Sequence, residues 1–167
     1  NEIFEQILQR ARAALKKQGY FIMFYHTFDL KSWSQILEKM DRMGFVYCSQ
    51  IAVAAPRKSF KTVMSPKSTL DGNYVILFQK DTHSRKAMFK GTIEDAKAMA
   101  VQCAKNIIES KKDVTSQDLY DCGMLRDAIE VGYLSVLAQS YSSFIDVVSQ
   151  DFEYVNGFWR ERGCIGF

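Results

Sequence analysis

Between residues 55 and 72 the chain gathers Arg57, Lys58, Ser59, Lys61, Thr62, Ser65, Lys67, Ser68 and Thr69, with Asp71 as the sole acid. Cations interleaved with hydroxyl donors are the composition that grips phosphates, because the charges supply salt-dependent affinity while the hydroxyls fix register. Phe60 adds a ring on which an exposed base can stack. A solvated basic loop with no ligand has the same composition, so residue types leave both readings open. A second cluster, Tyr25-His26-Thr27, follows an apolar run and falls where open α/β sheets place ligands, outside the carboxyl end of a strand. His26 could face a substrate there; a solvated loop histidine or a helix-capping partner is the competing reading. His83 lies in a charged turn and is assigned no role.

Other familiar chemistries are missing. The sequence has no glycine-rich phosphate loop after a strand, no HExxH and no GxSxG, so the chain is not expected to be a self-sufficient nucleotide enzyme. Cys48, Cys103, Cys122 and Cys164 are widely spaced with no CxxC pair, which argues against a zinc site and for a cytosolic, reducing setting. No run of 18 apolar residues and no basic-then-apolar leader occurs, so neither a membrane span nor a secretory signal is expected.

The elements that position these clusters follow from periodicity. Ile3, Phe4, Ile7, Leu8, Ala11, Ala14 and Leu15 recur at helical spacing, with Gly19 placed as a left-handed C-cap, so a first helix is expected to end near Gln18. Tyr20 to Tyr25 is a continuous apolar and aromatic run, the pattern of a strand buried on both faces. Asp29 offers an N-cap for a helix carrying Trp33, Ile36, Leu37, Met40 and Met43 up to Gly44. Residues 45–54 form a second strand, expected parallel to the first and completing a βαβ unit. The long basic loop follows, then Asp71-Gly72-Asn73 turns the chain into Tyr74–Phe78, a third strand reached without a helix and therefore expected antiparallel. From Thr92 the pattern becomes helical, with capping boxes at Thr92/Asp95 and Thr115/Asp118. A long apolar helix is expected through Leu125, Ile129, Val136 and Leu137, and another over part of Phe144–Trp159.

Of 167 residues, 47% are hydrophobic and 25% charged, which fits one globular domain or a domain plus a subdomain. The net charge of +3 conceals an asymmetry: residues 1–90 hold 15 Lys and Arg against 7 Asp and Glu, and the remainder 7 against 12. A basic first half suits a polyanion; an acidic helical second half suits solvent or a protein partner.

The order helix, strand GYFIMFYHTFD, helix KSWSQILEKMDRMGF, strand VYCSQIAVAAPRK, long loop, strand GNYVILFQK resembles the closing part of Rossmann-type methyltransferases that use S-adenosylmethionine. In that family the fifth strand, a helix and the sixth strand are followed by a seventh strand that inserts antiparallel. DNA adenine methylases are the nearer resemblance: Pro56-Arg57-Lys58, Lys67-Ser68 and Phe78-Gln79-Lys80 are similar to their pattern after the sixth strand. The tail TSQDLYDCGMLRDAIEVGYLSVL looks like the helical extension of some large members.

The resemblance implies an α/β fold: a partial Rossmann-like methyltransferase sheet, parallel strands plus a last antiparallel strand, over residues 1–85, followed by a helical subdomain over 90–167. It implies DNA as partner, with Arg57, Lys58, Lys61, Lys67 and Ser68 as backbone contacts and Tyr25, His26 and Thr27 at the substrate edge. The family's glycine-rich cofactor loop and its Asp/Asn-Pro-Pro-Tyr/Phe tetrapeptide have no counterpart here. The chain is accordingly expected to be a piece of a longer protein, lacking its own catalytic, metal or cofactor residues, with S-adenosylmethionine bound by an upstream half. Alternatives are a non-enzymatic interaction module, a fragment of a small-molecule methyltransferase, and a homo-oligomer whose second copy covers the first strand.

Overall fold

A computed structural model describes residues 2–54, 64–68, 72–81 and 88–163. The first part runs α1 (Glu2–Ala14), β1 (Tyr20–Tyr25), α2 (Leu30–Arg42), β2 (Phe45–Val53), a 3-10 turn (Pro66–Ser68) and β3 (Asn73–Lys80). The second runs α3 (Ile93–Ser110), α4 (Ser116–Leu119), a π-helical turn (Tyr120–Met124), α5 (Leu125–Val131), α6 (Leu134–Leu137), α7 (Phe144–Val148), β4 (Phe152–Val155) and β5 (Phe158–Glu161). The molecule is therefore a mixed α/β protein. Among the described residues, no helix is long and apolar enough to cross a membrane.

The sheet order is β1-β3-β2, and both ladders are antiparallel. β1 and β2 thus run in the same direction, as a βαβ crossover requires, but they are not neighbours: β3 lies between them. The shared direction agrees with the expected βαβ unit, but with β3 between the two strands no parallel ladder of a Rossmann-like sheet is present among the described strands. The reason is backbone pairing across the sheet. The register carries Val53 opposite Asn73 and Tyr25 opposite Tyr74, so β3 satisfies the backbone of both strands at once. Gly72 holds φ +96, and a Cβ there would overlap the carbonyl oxygen of Val53, so only glycine permits this entry into β3.

β1 is not buried on both faces. Phe21, Met23 and Tyr25 pack on the core, while Tyr20, Ile22 and Phe24 are exposed, Phe24 by 70%. Their ladder partners on the core face are Phe78, Ile76 and Tyr74, all buried. α2 covers this face through Trp33, edge-on to both Tyr25 and Tyr74. α1 lies beside α2, tied by Lys39 to Glu5 at 3.0 Å, and its last turn is capped by Lys80, whose Nζ donates to the carbonyls of Arg12 and Leu15. Both helices therefore sit on one side of the sheet. α1 also ends earlier than its periodicity suggests, and Gln18 rather than Gly19 takes the left-handed φ of 61°.

Asp29 caps α2 as expected, accepting from Ser32 N at 2.7 Å, and both anticipated capping boxes are present. Ser143 with Asp146 forms a third. The long helix expected through Leu125, Ile129, Val136 and Leu137 is instead two short pieces, α5 and α6. Gly123, at φ 148, lies inside the π turn just before α5, and Gly132, at φ 92, ends α5 in the left-handed region. The helix expected within Phe144–Trp159 stops at Val148, and the chain forms the hairpin β4–β5. Its loop is Asn156-Gly157, with φ 52 and 91, the residue pair favoured where both central positions need positive φ.

Buried residues from the sheet and from the helices belong to one cluster. Five acids of the second half are taken up by hydrogen bonds: Asp95, Asp118 and Asp146 close capping boxes, Asp127 accepts from nearby Tyr133, and Asp121 accepts from Tyr74 on β3.

Candidate functional site

The carboxyl ends of β1 and β2 and the start of β3 share one end of the sheet, because Tyr25 and Ala52 are both opposite Tyr74. The Tyr25–Thr27 cluster and the exit from β2 into the basic loop are therefore brought to the same edge. Arg57, Lys58 and Lys61, with Phe60, lie outside the described residues, as do His83 and the side chain of Ser68.

At this edge the structure gives Tyr25 and Thr27 clear structural work. The Tyr25 hydroxyl donates to the Ser32 carbonyl at 3.2 Å, and burial pushes its pKa up. Thr27 accepts twice: its Oγ1 from Asp29 N at 3.2 Å, and its carbonyl from Trp33 Nε1 at 3.0 Å. Both residues set the entry angle of α2. His26, between them, has an exposed side chain and is the member of the trio available to a ligand at the rim.

Lys67 lies against the second half of the chain. Its Nζ lies 5.2 Å from the ring centre of Trp159 and 5.9 Å from that of Tyr154, on the β4–β5 hairpin. Its carbonyl accepts from Ser116 Oγ at 2.7 Å, and the same Oγ accepts from Trp159 Nε1 at 3.0 Å. The end of the basic loop is thereby clamped to the helical part. A cation spread over two ring faces is held by their quadrupoles and keeps a solvated outer side.

Sequence reasoning missed the polar pair where the helices meet this end of the sheet. The Tyr74 hydroxyl donates to Asp121 Oδ1 at 2.7 Å, and Gln117 Nε2 donates to both carboxylate oxygens, at 2.8 and 2.9 Å. Burial raises the pKa of Asp121 above the ordinary aspartate range, more than the hydrogen bonds from Tyr74 and Gln117 lower it. Burial, with the adjacent carboxylate, also drives the Tyr74 phenol far up, so it remains a donor. Forty-seven residues separate the two groups, and no local pattern announces the pair. Beside it the Tyr120 hydroxyl donates to the Phe28 carbonyl at 2.7 Å, with the two rings stacked 5.2 Å apart.

Among the described residues no group of three or more His, Cys, Asp or Glu could hold a metal ion. The described residues also do not fit a seat for S-adenosylmethionine: β1 leaves through His26–Phe28 into a capped helix, and no described strand opens into a glycine-rich turn before a helix. No family model, no curated protein and no solved structure matches this chain.

Proposed function

We propose that this chain is the closing portion of the catalytic sheet of an S-adenosylmethionine-dependent DNA methyltransferase acting on the adenine amino group. In this reading it supplies sheet core and DNA-backbone contacts, while the remainder of the parent protein holds the cofactor and the catalytic tetrapeptide. The observation that carries the reading is the strand arrangement: two strands in the same direction joined by a helix, with the last strand inserted antiparallel between them. That is the order the resemblance implies for the final three strands.

The unequal edges of the sheet support it. β2 carries a bulge between Tyr47 and Ser49, a device that discourages further pairing. β1 pairs with β3 over six residues without interruption and contains no charge, proline or bulge, so its free edge has none of the usual protection. The face opposite α1 and α2 exposes Tyr20, Ile22, Phe24, Ile51 and Val53. An apolar patch of this kind marks a contact surface. A strand beside β1 and helices over this face would complete a doubly wound sheet. The basic loop, emerging at the carboxyl edge beside His26, would then face the DNA backbone.

The test is methyl transfer from labelled S-adenosylmethionine to adenine-containing duplexes, measured for this chain and for the parent protein. Transfer to the adenine amino group by the parent, and none by the chain alone, is the expected result. Transfer by the chain alone, or none by the parent, overturns the proposal. The same bare face also suits a non-enzymatic interaction module, and an inactive parent would favour that reading.

A further inference from the structure

Gln9, Arg12 and Ala13 of α1, Arg42 and Met43 at the end of α2, and Lys80 of β3 line an open groove of about 590 Å³. Three of these residues are cations and none is an acid. Like charges gathered at one groove repel each other and focus a positive field on whatever enters it. Elsewhere Lys39, Lys97, Lys105 and Lys111 each meet a carboxylate. Arg12 and Arg42 do not: among the described residues neither side chain makes an ion pair or a hydrogen bond. Glu5, one turn before Gln9, is held by Lys39 at 3.0 Å, and Asp41 and Asp81 are engaged elsewhere. Cations at helix C-termini offset the carbonyl ends, and Lys80 does so directly, donating to the Arg12 and Leu15 carbonyls at 2.6 Å. The two guanidiniums are left without such a bond. Arg12 is nonetheless fixed in place. Gly44 holds φ +75, and a Cβ there would stand 2.8 Å from Arg12 Nε and Nη2, so a glycine makes room for a guanidinium whose buried Nε bonds to nothing. The residue as a whole is only half-buried and lines the groove, which leaves its terminal amines free to donate.

We propose that this groove binds a doubly charged phosphate, free or as the monoester of a small molecule. The Arg12 and Arg42 guanidiniums donate to its oxygens, a geometry that planar forks match in pairs. The remaining proton of Lys80 Nζ and the Gln9 amide complete the donors, and Ala13 and Met43 offer an apolar floor to an ester group. A phosphate monoester carries about two negative charges at neutral pH. Three cations suit that charge better than the single charge of a carboxylate or of a nucleic-acid phosphodiester. The groove lies at the opposite end of the sheet from Tyr25–Thr27, because Lys80 is opposite Phe45 and Gln79 is opposite Tyr20. The inference therefore stands apart from the methyltransferase reading and from the DNA contacts assigned to the basic loop.

The test is a titration of the full chain, at constant ionic strength, with inorganic phosphate and with phenyl phosphate, followed by amide chemical shifts. Benzoate, phenol and a short DNA duplex without terminal phosphates serve as singly charged, neutral and polymeric comparisons. Saturable binding of both phosphates is expected, with shifts centred on residues 9–13, 42–44 and 80 and an affinity roughly tenfold above benzoate and phenol. The tighter of the two phosphates tells whether the site takes the free ion or a monoester. Arg12→Gln and Arg42→Gln should each weaken phosphate by about fivefold, the upper range for a partly exposed ion pair. Lys31→Gln, which removes the same charge from the other end of α2, should leave the affinity unchanged. No saturable shift at these residues, benzoate as tight as phosphate, equal losses in all three variants, no loss in either arginine variant, or tighter binding of the duplex at this groove would overturn the proposal.

Discussion

The hydroxyl of Tyr120 donates to the carbonyl of Phe28 at 2.7 Å and accepts from the amide of Phe144 at 3.2 Å. One phenol thus joins the loop after β1 to the N-terminus of α7. Burial holds that phenol far above its ordinary pKa, so it stays protonated and able to donate at any physiological pH. Tyr120→Phe should keep the ring stacked on Phe28 but strand both backbone partners. A loss of about 2 kcal/mol in urea denaturation is expected. A change below about 0.5 kcal/mol would mean that water replaces the hydroxyl without penalty.

The Tyr74–Asp121 pair makes a pH prediction. The folded-state pKa of Asp121 lies above its unfolded value, so the folded protein binds more protons between the two. Stability from this group is therefore greatest below the unfolded pKa and falls as pH rises through the folded one. Asp121→Asn, which preserves an acceptor for Tyr74, should abolish that fall. Measured by urea denaturation from pH 3 to 7, the variant should gain on the wild type as pH increases. The opposite slope would mean that Tyr74 and Gln117 stabilise the carboxylate more than burial penalises it.

Gly157 sits at φ +91 with nothing within 4 Å of where a Cβ would stand, so substitution meets conformational strain without a clash. Gly157→Ala should therefore cost about 1 kcal/mol, read as a lower Tm. Gly72→Ala, which also strikes the Val53 carbonyl, should cost clearly more.

Phe24, 70% exposed on the bare face, would distinguish the isolated chain from the parent protein proposed above. Phe24→Lys should change the stability of the chain by no more than about 0.5 kcal/mol, as for an ordinary surface position. In the parent, where the proposed helices would bury the site, the same change should cost upwards of about 3 kcal/mol. Equal effects in both would argue that nothing covers this face.

Among the loop cations, Lys67 is expected to behave apart. Replacing Arg57, Lys58 and Lys61 together by Ala in the parent should weaken DNA binding and reduce the logarithmic salt slope by up to about 3. Lys67→Ala should leave that slope nearly unchanged and instead loosen the β4–β5 hairpin, since its ammonium lies over Trp159 and Tyr154. A full unit of slope lost on Lys67→Ala would show that this cation reaches phosphate.

Short-range features were legible in the amino-acid order because their causes lie within a few residues. Asp29 and the Thr92 and Thr115 boxes cap their helices by reaching three residues ahead, and the apolar periods of α2 and α3 mark their buried stripes, whereas in α1 Leu8 is buried but Ile3 and Ile7 are exposed. Asn156-Gly157 carried its hairpin just as plainly, yet helical spacing among neighbouring apolar residues pointed to a helix there instead. The glycines at 123 and 132 likewise interrupt a helix that apolar composition alone would extend.

What only the tertiary structure decided was pairing across distance. β3 could have flanked either strand, and its place between β1 and β2 depends on a ladder that reaches back from Tyr74 to Tyr25 and from Gln79 to Tyr20. That placement put β1 at an edge and left one of its faces bare, although its run of Tyr, Phe, Ile and Met describes a strand covered on both sides. Tyr74 met Asp121, Tyr120 met Phe28, and Lys67 met Trp159 only once the helices docked on the sheet. Local spacing encodes which face of an element is apolar; which neighbour buries that face is settled by packing among elements remote in sequence.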